Sequence, residues 1–213
     1  TNMKTAQLDK LANLLVFTKE TLRQLEEDND RLDFNINYWL KKGKIIALKK
    51  GLYVLKEKWE RETNKDFYLE YIANQLYQPS YLSCEYVMNK YGLLTEGVFG
   101  ITSMTTKTTR VFVNNLGNFN YYSVSPTLFL GYEIIKNISF PVAVAKKSKA
   151  VFDFLYLRFI KNIPVNIKTI EELRINWENI SKGELKEIEK YAAKTHSVRV
   201  NQVINLIINS YVA

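Results

Sequence analysis

The sequence contains one cysteine, Cys84, and one histidine, His196. A single thiol excludes an internal disulfide, and one Cys with one His far apart excludes a zinc site of the Cys/His type. A Ser-His-Asp arrangement would need His196 as its base, and no nucleophile signature points toward it. Only 8 glycines occur, and none is grouped into a loop that cradles phosphates. Long apolar runs are missing as well. No stretch of about 18 uncharged apolar residues is present, and the N-terminus lacks an apolar signal segment, so the expectation is a cytoplasmic protein with no membrane partner. The acidic run Glu26-Glu27-Asp28-Asn29-Asp30 reads as a solvated turn rather than a cation site. The expectation from these absences is a protein that is not an enzyme, with no catalytic residue, no metal and no cofactor.

What remains is an ordinary globular composition. Across 213 residues, 46% are hydrophobic and 24% charged, enough to bury one large core or two small ones. The net charge of +8 is unevenly spread: residues 31–58 hold 8 basic and 2 acidic side chains, a local net of +6. Such a peak is the electrostatic footprint of a nucleic-acid contact, and it also fits a solvated basic face.

The peak coincides with a recognisable local pattern. Thr18 suits a helix N-cap, with Phe17 before it and Leu22 within the helix as a hydrophobic staple. From about Arg31, Leu32, Ile36, Trp39 and Leu40 share one side of a helix, with Asn37, Tyr38 and Lys41 opposite and Asn35 and Lys42 flanking. Phe34 also projects outward. Gly43 ends that helix, and two short apolar strands follow (Ile45, Ile46, Leu48, then Leu52, Val54, Leu55), joined at Lys49-Lys50-Gly51. The pattern predicts a winged helix-turn-helix over 1–60 that binds duplex DNA. In it Asn35, Asn37 and Tyr38 would meet base edges, while Arg31, Lys41, Lys42, Lys49 and Lys50 would hold phosphates. Repeated half-sites bound by two copies are expected, since one such module reads few base pairs. The surfaces expected to pair copies are the last helix (Val200, Val203, Ile207) and the strands near 110–124.

Residues 56–65 read as a charged linker to a second domain over 66–213. That domain should open with a helix near 66–77 stopped by Pro79, followed by a helix capped by Ser83 and ending at Gly92. Strands follow at 98–104, 110–114 and 118–124. A helix over about 146–160 comes next, ended by Pro164. Ser181 and Glu184 have capping-box spacing ahead of another helix, and a last helix carries Val200 to Ile208. The fold class expected is α+β: an N-terminal winged helix-turn-helix, then a mixed α/β C-terminal domain with a helical C-terminal end. The 146–160 helix carries Lys146, Lys147, Lys149 and Arg158 against Asp153 alone, which suggests a basic face for an acidic protein or for further DNA.

The order of these parts resembles a known family. YLSCEYVMNKYGLL, VFGITSMTTKTTRVFV and AVAKKSKAVFDFLY, behind a winged helix, look like the AbiEi-type antitoxins of type IV toxin–antitoxin and abortive-infection systems. The resemblance covers about 18–160. Ser83 and Tyr91-Gly92-Leu93 match one family motif. Lys149, Ala150 and Asp153 match a second, in which Ser148 stands where glutamate is usual. The resemblance implies a bacterial repressor of its own operon that counteracts a nucleotidyltransferase-like toxin. The alternative is a stand-alone winged-helix regulator whose second domain senses a ligand or dimerises.

Overall fold

A computed structural model of the protein describes residues 5–136 and 140–211. The architecture is mixed α+β, with one three-stranded and one six-stranded sheet. Two compact units are present. The first comprises the chain up to Leu76 together with Phe112–Asn118, and the second comprises Tyr77–Val111 and the chain from Phe119 onward. Among the described residues no helix is long and apolar enough to cross a membrane.

In the first unit a 3-10 helix, Thr5–Leu11, precedes strand β1 (Phe17–Thr18), helices α1 (Lys19–Arg23) and α2 (Asn29–Lys41), and strands β2 (Ile45–Lys49) and β3 (Leu52–Leu55). The sheet order is β1-β3-β2, antiparallel throughout. Thr18 caps α1 in a capping box with Thr21. Helix α2 begins earlier than its apolar period suggests, because the Asp28 side chain accepts the backbone N–H groups of Asp30 and Arg31. Leu32, Ile36 and Trp39 then carry α2 onto a core shared with Leu8, Leu11, Phe17, Leu22 and Ile45. Gly43 (φ +61°) and Gly51 (φ +79°) take the left-handed conformation that the helix end and the β2–β3 turn require.

Residues 56–65 do not form a linker. Lys56–Arg61 is helix α3, whose Lys58 Nζ donates to Ala12 O at 2.9 Å and whose Trp59 ring lies 5.9 Å from that of Tyr68. Helix α4 (Lys65–Leu76), expected to open the second part, groups with the first, and its Tyr68 hydroxyl donates to Leu15 O. Charge density misled here, since α3 is held by the Trp59 ring and the Lys58 ammonium while Lys56, Glu57, Glu60 and Arg61 are exposed.

The second unit contains β4 (Ser80–Leu82), α5 (Cys84–Lys90), β5 (Ile101–Thr105), β8 (Tyr132–Lys136), β9 (Pro141–Ala145), α6 (Lys147–Phe159), α7 (Ile167–Glu171), α8 (Lys182–Ala193) and α9 (Val198–Tyr211). Strands β6 (Arg110–Asn114) and β7 (Gly117–Ser123) complete its sheet, in the order β6-β7-β5-β4-β9-β8. The tip of their hairpin belongs to the first unit, where Asn114 Nδ2 donates to Leu48 O at 3.0 Å. Val200, Val203 and Ile207, expected to be free for pairing copies, are buried by their own unit. Ser181 forms the expected capping box with Glu184.

Replacing Asp28 with Ala should cost about 1 kcal/mol, the usual value of an N-cap, and Asp28→Asn should cost much less. Urea denaturation of the two variants checks this.

Candidate functional site

Helix α2 has two chemically opposite sides. Its buried side is Leu32, Ile36 and Trp39, joined by Asn35, which is only 6% exposed. The outward side presents Arg31, Asn37 and Lys41 with two aromatic rings, Phe34 at 62% and Tyr38 at 46% exposure. Lys42, just past the helix, lies 6.0 Å from the centre of the Tyr38 ring. Asp33 is tied to Lys19, and Asp28 is occupied as the cap.

Two of the residues expected at this surface are elsewhere. Asn35 faces inward because it stands about 100° from Phe34 on the helix, toward the core. Lys49 is not a free wing-tip cation: its Nζ donates to Leu76 O at 2.6 Å and lies 5.8 Å from the centre of the Phe112 ring. A β-bulge between Ala47 and Lys49 re-aims this side chain, and strand alternation alone does not reveal a bulge. Lys50, at the turn itself, is exposed. The outward set is therefore Arg31, Asn37, Tyr38, Lys41, Lys42 and Lys50, with Phe34 added.

The second unit has its polar centre on α6. Lys149 is 1% exposed and Asp153 wholly buried, and the two form an ion pair one helical turn apart. Asp153 Oδ2 also accepts from the Ser83 hydroxyl at 2.7 Å and the Tyr81 hydroxyl at 3.0 Å. The Lys149 ammonium lies 4.7 Å from the Phe152 ring centre, 5.5 Å from that of Tyr191 and 5.7 Å from that of Tyr81. Burial raises the Asp153 carboxyl, while Lys149 and the two hydroxyls pull it back toward the ionised form. Burial likewise raises the Tyr81 phenol, and Asp153 raises it further. Gly131 (φ +77°) admits this arrangement, since a Cβ there would stand 2.6 Å from the Tyr191 hydroxyl oxygen and 3.1 Å from Lys149 Cδ.

The expected basic face on α6 is thus corrected. Lys149 points into the interior. Lys147 donates to Asn179 O at 2.6 Å and pairs with Glu184 at 3.0 Å. Lys146 and Arg158 are exposed but stand at opposite ends of the helix, about 18 Å apart along its axis. Ser83, expected as a capping side chain, makes no cap bond and spends its hydroxyl on Asp153. Ser148 donates to Glu187 Oε2 of α8 at 2.5 Å, so a carboxylate stands beside the position where the resembled family carries glutamate.

A cleft of about 600 Å³ opens elsewhere in the second unit, among Glu85, Phe99, Phe154, Arg158 and Glu172, with the Arg174–Glu96 ion pair at its rim. No sequence signal announced it, because its walls come from four separated segments. Among the described residues no cluster of His, Cys, Asp and Glu could hold a metal ion. No protein-family model matches the chain, and no curated protein matches it significantly.

Asp153→Ala would leave a buried ammonium without its partner and should destabilise the protein by about 3–5 kcal/mol in urea denaturation, against less than about 0.5 kcal/mol for the exposed Lys50→Ala. Cys84 is fully buried, and its thiol is raised by that burial and by Asp153 and Glu85. It should therefore resist dithionitrobenzoate at pH 8 in the native protein and react fully once unfolded.

Proposed function

We propose that the first unit is a winged helix-turn-helix that binds duplex DNA, with α2 as its recognition helix and Lys50 on its wing. The chain on this reading is a transcriptional repressor. The observation that carries the proposal is the outward face of α2, where Asn37, Phe34 and Tyr38 lie between Arg31 and the pair Lys41 and Lys42. The order helix, strand, helix, helix, strand, strand with sheet order β1-β3-β2 supports it, since that order stands α2 and the β2–β3 turn side by side in sequence. Phosphates would be held by Arg31, Lys41, Lys42 and Lys50, and Asn37 would pair with adenine in two-point fashion. Asn35 and Lys49 drop out of this role.

The particular reading is an antitoxin of a type IV toxin–antitoxin system that represses its own operon and counteracts a nucleotidyltransferase-like toxin. It rests on the resemblance to AbiEi-type antitoxins. One contact supports it: Ser83 and Asp153, each from a different motif of that resemblance and 70 residues apart, are joined by a direct hydrogen bond. The glutamate missing at Ser148 has a counterpart in Glu187. The cleft favours a second reading, a stand-alone regulator whose second unit takes a small ligand. A neighbouring gene for a nucleotidyltransferase-like protein separates the two.

Lys41→Ala with Lys50→Ala should weaken binding on every duplex and flatten the salt dependence by about 2 in slope, as the loss of two phosphate contacts requires. An unchanged slope would contradict the assignment. In cells expressing the neighbouring toxin, the same double variant in the full chain should still rescue growth, because the altered side chains belong to DNA binding alone. The fragment 66–213 is a poor test, since α4 and the 112–118 tip group with the first unit.

A further inference from the structure

The centre of the outward face of α2 is occupied by a hydrocarbon ring. On a helix of about 100° per residue, Phe34 lies within about 20° of Lys41 and about 40° of Tyr38, opposite the stripe of Leu32, Ile36 and Trp39. At 62% exposure it contributes little to the core. A phosphate contact would be made by a cation or a hydroxyl, so this position has a different task from its neighbours.

We infer that Phe34 recognises thymine, by packing on the C5 methyl group that thymine alone among the four bases presents in the major groove; the inference rests on the DNA-binding reading above. The methyl is the one apolar feature of the groove floor, and phenylalanine is a side chain suited to it. The surroundings fit. Asn37, one turn along the same side, offers the donor and acceptor pair that adenine N7 and N6 require, so a T·A or A·T step can be read by two neighbouring side chains. Lys41 and Lys42 stand beyond them at the basic end of the helix, and the acidic Asp30 stands at its start. Phosphate contacts thereby flank the ring, with Arg31 on one side along the helix and Lys41, Lys42 and the Lys50 turn on the other. Tyr38, with Lys42 over its ring, flanks the contact on the side of Arg31.

The test uses the full chain and duplexes selected by it from a randomised pool. The dominant duplex is remade with deoxyuridine replacing each thymine in turn, which deletes one methyl group and leaves base pairing intact. At one position or more the wild-type protein should bind the deoxyuridine duplex about 4-fold more weakly, the value of one methyl group removed from water. Phe34→Ala should bind the two duplexes equally while keeping the wild-type salt slope. Equal binding of both duplexes by the wild type at every position overturns the inference and leaves DNA binding standing. Persistence of the preference in Phe34→Ala also overturns it. A Phe34→Ala protein that keeps the thymine preference but loses growth rescue would assign this face to a protein partner instead. Absence of salt-dependent binding to any duplex removes the DNA-binding reading, and the inference with it.

Discussion

An ammonium and a carboxylate sealed away from water hold the second unit in register. Neither Lys149 nor Asp153 could be buried alone, since an isolated ion in that interior carries a desolvation cost that no single contact offsets. Together they need every neighbour to be in place. Ser83 comes from the start of α5 and Tyr81 from β4, and Tyr191 of α8 covers the ammonium. Strand β4 is thus tied to α6 by the Tyr81 hydrogen bond, and Gly131 leaves the room that the Tyr191 ring and the Lys149 stem occupy. A hydrophobic core of equal volume would tolerate small shifts of α6. A pair with two additional hydroxyl donors fixes its rotation and its depth.

The first unit solves a different problem. Its core is small and apolar, built on Trp39, Phe17 and Leu32, and it uses α2 as a wall with one dry and one wet side. Phe34 is 62% exposed on the wet side, so local packing does not account for that residue. Asp30 stands in the first turn of α2 and Lys41 in its last, which suits the helix dipole. Fold stability and the candidate surface therefore make separate demands on the same thirteen residues.

Much of this was legible from residue order. The caps at Thr18 and Ser181, the two-sided α2, the β2–β3 turn and the helix on α6 follow from local patterns, because caps, turns and 3.6-residue periods depend on residues close in sequence. Long-range facts were not. Strands β4 and β8 are short and carry no clear alternation, and their place in the sheet comes from tertiary pairing. Lys149 looked like one of several surface lysines, since its partner four residues on is also the only acid of that helix and the enclosing rings come from β4 and α8. Lys49 looked like a wing tip because a bulge cannot be read from composition. Asn35 sits at the margin of the apolar stripe, where a few degrees of helix rotation decide between core and solvent.

The central claim is that duplex DNA is met by the outward face of α2 and the turn at Lys50, and by nothing around Lys149. Nuclear magnetic resonance of the nitrogen-15-labelled full chain, titrated with a selected duplex, tests it directly. The account predicts that amide signals of Phe34, Asn37, Tyr38, Lys41, Lys42 and Lys50 shift in proportion to bound DNA, while those of Lys149, Asp153 and Ser83 stay in place. Shifts concentrated on α6 or on the residues lining the cleft, with the α2 signals unmoved, would contradict it.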